Sequence, residues 1–173
     1  MLPCWIDVPL TLHSYFMKQI GYLIFILLSK FSFGQDSLWV NKADSVILFA
    51  KTQLGVPYKW ATSNPNVSFD CSGFTSYAYA LAGVPYSRSS KAYGKLGTKV
   101  RLEESRKGDC IVFTGTAGSG SGIGHVGIVI SNDKNGLKFI HCSSSKKHFG
   151  VVITDYYNSG YPKRFHSIRR MIP

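Results

Sequence analysis

Five short runs of apolar and β-branched residues fill the chain beyond residue 109, at 110–113, 126–130, 138–142, 151–153 and 165–169. Each is too short for a stable helix, and glycine-rich or Asn-Gly turns such as Asn135-Gly136 separate them, so they read as strands joined by hairpins. Ahead of them helical spacing prevails. Leu38, Val46, Ile47, Leu48, Ala50 and Leu54 form an apolar stripe within 37–54, which Gly55 and Pro57 stop. Asp70 or Ser68 caps a second helix that starts almost at Cys71, reaches Leu81 and is closed by Gly83. Residues 84–88 read as extended, and a short helix is expected over 89–96. Helices first and an antiparallel sheet afterwards predict an α+β domain.

A chain of 173 residues accommodates one such domain and a removable leader. Met17-Lys18, the apolar run 20–28 and Ser32-Phe33-Gly34 have the basic, apolar and small-residue layout of a secretory signal. The expected organisation is therefore an upstream segment plus signal over 1–34, with Met17 as the better start, and a domain over 35–173. The apolar run is shorter than the roughly 20 residues a bilayer span needs, so no stable membrane span is expected in the mature form. No cysteine follows the run closely, which disfavours a lipid anchor. Export places the protein in the periplasm, the extracellular space or the cell envelope.

Twenty Lys and Arg against nine Asp and Glu give a net charge of +11. Residues 1–34 carry two of those cations and one acid, so +10 remains on 35–173. A basic surface attracts polyanions, and for an exported protein the natural candidates are anionic envelope polymers rather than nucleic acid. Plain solubility is the alternative use of the same charge. Of four cysteines, Cys4 falls in the leader, and the odd remainder of three leaves at least one free thiol.

Cys71 stands where a helix begins, facing unpaired N–H groups and the positive end of the dipole, both of which favour thiolate. That is the placement covalent cysteine catalysis requires, although free cysteines also serve as buried filler. His125 follows a glycine stretch and opens a strand, so it can face a cleft while being rigidly held. Its ordinary pKa near 6.5 suits a general base. His141 lies across the Asn135-Gly136 turn and can orient His125 as the third member of a triad does. The alternative for each histidine is a buried ring with a satisfied hydrogen bond. No His or Cys pair has zinc-type spacing, so neither metal nor other cofactor is expected. His148 and His166 read as surface or packing residues. A Gly-x-Ser-x-Gly pattern occurs only at 118–122, where no strand leads into a helix, so a serine nucleophile is disfavoured.

Asp70-Cys71-Ser72-Gly73-Phe74, Gly108-Asp109-Cys110-Ile111-Val112-Phe113, Gly124-His125-Val126-Gly127-Ile128 and Phe139-Ile140-His141-Cys142-Ser143-Ser144 together resemble the four signature segments of NlpC-type cell-wall cysteine peptidases. The order and spacing agree over roughly 40–170. The resemblance implies a papain-like fold, with the cysteine helix packed against an antiparallel sheet. It also implies hydrolysis of the D-γ-glutamyl bond to a diamino acid in peptidoglycan stem peptides. Cys71 is then the nucleophile, His125 the base and His141 the orienting residue. Tyr58, in Gly55-Val56-Pro57-Tyr58-Lys59-Trp60, would steady the oxyanion beside the Cys71 N–H. Asp70 and Ser72 would hold a substrate amine as well as cap the helix. Arg88 and Ser89, in the stretch 86–90, would line the cleft, with Arg88 meeting a carboxylate. An amidase acting at the sugar–peptide junction and a non-catalytic wall-binding module are the alternatives. Free muropeptides and polymeric peptidoglycan both stay open as partners.

The chain departs from the family pattern at three places. Lys59-Trp60-Ala61-Thr62 replaces a usual glycine pair, and the glycine-rich stretch 114–124 is long enough to form a mobile rim. Cys110 and Cys142 stand where small or apolar residues are usual, as buried strand residues or as a disulfide formed on export.

Overall fold

The computed structural model describes residues 38–116 and 122–173, together with Ile20. The leader expected over 1–34 lies outside the described residues, Ile20 apart, and so does the centre of the glycine stretch, 117–121. Residues 39–173 form one unit, and the account below concerns that unit.

Residues 38–51 are helical (α1). Ala43, Val46, Ile47 and Ala50 face inward at helical spacing, whereas Leu48 and Leu54 are exposed. The small residues Ala43 and Ala50 allow close approach, so they rather than the leucines define the packed face. A two-stranded pair follows, β1 (Ser63–Asn64) and β2 (Ser68–Phe69), with residues too few and too polar to announce strands. Next come α2 (Cys71–Leu81) and the four-residue α3 (Ser90–Tyr93), shorter than the helix expected there. Six strands complete the unit: β3 (Thr98–Val100), β4 (Cys110–Thr114), β5 (Ile123–Asp133), β6 (Gly136–Ser145), β7 (His148–Asp155) and β8 (Phe165–Arg170). They form one sheet in the order β3-β8-β4-β5-β6-β7, antiparallel throughout. This is the expected α+β architecture.

The central strands are buried on both faces, which is why their sequences run apolar without polar alternation. Cys110 and Val112 of β4, Val126 and Ile128 of β5, and Ile140 and Cys142 of β6 pack with Phe74 and Ala78 of α2 in a first core. Ile111, Phe113, Val129, Leu137 and Phe139 point the other way into a second core, with Tyr156 and Ile168. Cys71, Cys110 and Cys142 are all free. A Cys110–Cys142 disulfide is ruled out by topology: β5 stands between their strands, with Cys110 opposite Ile128 and Ile128 opposite Ile140. Two strand spacings, about 9.5 Å, exceed the Cα separation that a disulfide can bridge.

Two features fix the approach to α2. Gly55 N–H donates to Val151 O and Val151 N–H to Val56 O, each at 2.9 Å, so 55–57 is strapped to β7. Gly150 makes this strap possible: its φ is +91°, and a side chain there would crowd Val56 O and Pro57. Tyr58 then bridges in parallel to Phe69, immediately ahead of α2. Among the described residues, no helix is long and apolar enough to cross a membrane.

Candidate active site

Asp70 ends the extended approach (φ −92°, ψ 177°) and caps α2, its Oδ1 accepting the Gly73 N–H at 2.6 Å. The Ser72 hydroxyl also lies 2.9 Å from Asp70 Oδ1 and from Arg88 O. Arg88 Nη2 reaches Asp70 Oδ2 at 3.5 Å and Thr62 O at 3.3 Å. Asp70, Ser72 and Arg88 thus form one network around the helix start. Ser89 is exposed, and its N–H donates to the Ser87 hydroxyl oxygen at 3.1 Å.

This cap delivers Cys71 to the first turn of α2, only 7% exposed, with Sγ 4.0 Å from Gly124 O. Gly124 immediately precedes His125, so strand β5 brings the histidine into the cleft that the sulfur faces. Cys71, His125 and Tyr58 line one cleft of about 400 Å³, together with Trp60, Gly115, Thr116, Ser143–Ser145, Tyr161 and Arg164. His141 lies behind His125: its Nδ1 is 2.9 Å from His125 Nε2, and its Nε2 is 2.9 Å from Thr154 Oγ1. The nitrogen of His125 left for the cleft is Nδ1. Alternation along β6 sends His141 against Phe139 of the second core (ring centroids 4.8 Å apart). Cys142 points into the first core, donating to Phe69 O at 3.2 Å. The site therefore straddles the seam between the two cores.

Burial dominates the electrostatics. The Cys71 thiol is pushed up to about 11 by burial first and the Asp70 carboxylate next, although the Ser72 and Val126 N–H groups pull it down. Helix-start placement alone does not give the resting thiolate that the sequence suggests, because desolvation outweighs the N–H groups. His125 is lowered to about 3, by burial and then by the Arg164 cation. His141 is lowered by burial, then by His125 and Arg164. The resting pair is thus thiol and neutral imidazole. Direct transfer of a proton from one to the other creates both charges together, and their attraction offsets part of the desolvation cost. Tyr58 is raised by burial and by the nearby Cys71, which keeps its hydroxyl a donor.

Three residues of this site escape sequence reasoning. Thr154 ends the His125–His141 chain of rings. Tyr161, from a 3-10 turn (Tyr161–Arg164), brings its hydroxyl to 3.4 Å from both His125 Nε2 and His141 Nδ1. Arg164 Nε and Nη2 donate to Thr114 O at 3.1 and 2.6 Å. The Tyr-Pro step at 161–162 signals a turn, but nothing local says that the turn folds over the histidines. His148 and His166 are exposed, and His166 Nδ1 meets the neighbouring Ser167 hydroxyl at 2.9 Å. Among the described residues, no group of three or more His, Cys, Asp or Glu could hold a metal ion.

Comparison with known proteins matches residues 55–170 to the NlpC/P60 family. The chain is 40% identical over 100 residues to a "Probable endopeptidase p60" of Listeria seeligeri, covering 54% of this chain and 18% of that protein. It is 32% identical over 140 residues to a "Gamma-D-glutamyl-L-lysine dipeptidyl-peptidase" of Bacillus cereus, covering 81% and 40%. A crystal structure of an NlpC/P60 family protein from Bacillus cereus superposes with a TM-score of 0.66 at 34% identity, over 76% of this chain and 40% of that one. The chain spans less than half the length of each of these relatives.

Proposed function

The chain belongs to the NlpC/P60 family, and on that premise we propose that it is an exported cysteine peptidase that cuts the γ-D-glutamyl–diamino acid bond of peptidoglycan stem peptides. The observation that carries this reading is the cleft lined both by Cys71, at a capped helix start, and by His125, itself backed by His141. The similarity to a protein named for a γ-D-glutamyl-L-lysine bond supports the choice of bond.

As the sulfur of Cys71 attacks the carbonyl carbon, its proton passes to His125 Nδ1. The carbonyl oxygen takes the negative charge, beside the Cys71 N–H and the Tyr58 hydroxyl as donors. Collapse re-forms the C=O and breaks the C–N bond, and His125 gives its proton to the departing amine. The acyl group is left as a thioester on Cys71. Water then attacks the thioester, losing a proton to His125. The C–S bond breaks, the acid leaves, and the proton returns to sulfur. Asp70 and Ser72 sit beside the nucleophile and, with Arg88 and Ser89, are assigned to the acyl side of the substrate, where a terminal amine meets the Asp70 carboxylate.

Mass spectrometry of purified muropeptides, incubated with the protein or with Cys71→Ala, tests this reading. The protein is expected to release the L-Ala-D-Glu portion from the diamino acid, and the variant to be slower by on the order of 10⁴-fold or more. Intact fragments with both proteins would sink the peptidase reading, and a cut between sugar and peptide would replace it with the amidase.

A further inference from the structure

A second cavity of about 740 Å³ adjoins the cleft, and the two share Thr116, Ser143, Ser145, Tyr161 and Arg164. Its outer wall adds Lys147 and His148. Asp155 is the acid in its lining, and one oxygen of that carboxylate already accepts the Asn158 N–H at 3.1 Å. The balance of charge favours an anion. Arg164 is the cation nearest the histidines. It is half-buried and held by the two bonds to Thr114 O, and its guanidinium carbon lies 5.5 Å from the Tyr161 ring centroid. Nη1 has no hydrogen-bond partner, and Arg164 no ion pair, among the described residues.

A fixed cation beside the general base opposes the very step the base performs, since Arg164 disfavours a proton on either histidine. The opposition disappears if a substrate anion covers the guanidinium. The direction of the reaction says which part of the substrate that is. His125 hands its proton to the departing amine, so the departing residue lies on the His125 side of the cleft, where Tyr161 and Arg164 stand. We propose that Arg164, supported by Lys147, binds the carboxylate of the residue on the amine side of the scissile bond, making the enzyme selective for leaving groups that carry a free carboxylate. The inference rests on the peptidase reading above. Arg is the suitable residue because its planar fork meets carboxylates in fixed geometry, and Thr114 O holds the fork in place.

The test compares L-Ala-γ-D-Glu-L-Lys as free acid and as C-terminal amide, with the unmodified protein, Arg164→Gln and Lys147→Gln. The unmodified protein is expected to cut the acid about 10- to 100-fold faster in kcat/KM. Arg164→Gln should cut both substrates at one common rate, no slower than the unmodified protein cuts the amide because the opposing cation is gone, and Lys147→Gln should shrink the preference by a smaller factor. Equal rates for acid and amide in the unmodified protein overturn the proposal and leave the peptidase reading standing. Loss of amide cleavage in a folded Arg164→Gln also overturns it, because Arg164 would then serve the Cys–His pair itself. If the unmodified protein cuts neither peptide nor any muropeptide, the peptidase reading fails and the proposal falls with it. Should Arg164→Gln not fold, the preference of the unmodified protein and its reduction in Lys147→Gln decide the matter.

Discussion

The two shortest polar contacts of His141 are Thr154 Oγ1 through Nε2 and His125 Nε2 through Nδ1, each at 2.9 Å. Two proton arrangements satisfy this chain, and only one leaves His125 Nδ1 with the lone pair a base needs. In that arrangement His125 Nε2–H donates to His141 Nδ1, and His141 Nε2–H donates to the Thr154 oxygen. Thr154 is therefore a positioning residue, its hydroxyl accepting that proton and holding the His141 ring in line with His125. Thr154→Val keeps the shape and removes the acceptor, and is expected to lower kcat about 3- to 20-fold with KM little changed. Thr154→Ser should restore most of the loss in the same steady-state assay, which a mere packing role would not predict. At this scale, Cys71, His125 and His141 were legible because each sits in a short local pattern. Thr154, Tyr161 and Arg164 were not, because they reach the site only through strand pairing and a turn folded over the sheet.

Helix α2 buries Phe74, Ala78 and Tyr79 along one face and is fixed at its start by Asp70. Asp70 caps the Gly73 N–H, takes the Ser72 hydroxyl and pairs with Arg88, all while 7% exposed. Asp70→Ala leaves a buried N–H unpaired and is expected to cost about 2 kcal/mol in denaturant unfolding. Asp70→Asn retains an acceptor and should cost less than half of that. The pair also separates two roles: if Asp70 holds a substrate amine, Asp70→Asn raises KM while most stability remains. Gly73 adds a second constraint, since a Cβ there would run into Thr62 O and the Arg88 guanidinium. The start of α2 was readable because cap and cysteine are adjacent in sequence. On α1 the expected Val46, Ile47 and Ala50 do face inward, but Leu38, Leu48 and Leu54 do not, because periodicity weights leucine above alanine while packing here prefers the smaller side chains. The hairpin of β1 and β2 was hidden for another reason: two residues per strand carry no alternation to detect.

Across the whole molecule the buried histidines tie folding to acidity. His125 holds its proton only below about pH 3 when folded, against about 6.5 when unfolded. The unfolded chain thus binds the proton more tightly. The stability from this residue is complete above about pH 6.5 and is lost progressively as pH falls toward 3, by on the order of 4 kcal/mol. His141 acts in the same direction. Asp109, raised by burial despite Arg170, works oppositely at the low end of that range, gaining stability as it is protonated. Unfolding free energies measured in denaturant at pH 7 and pH 4 should therefore differ by several kcal/mol, with His125→Gln showing a shallower dependence than the unmodified protein. A flat profile between those values would contradict neutral burial of the pair.

The three thiols among the described residues are distributed unequally: Cys110 and Cys142 are wholly enclosed in the first core, while Cys71 opens onto the cleft. Of these three, the folded protein consequently offers an alkylating reagent one address, Cys71, and whatever fills the cleft shields it. The other two sulfurs come within reach only when α2 and the sheet part. Label at Cys71 is thus a gauge of occupancy, and label at Cys110 and Cys142 a clock for opening of the core, both read from one peptide digest.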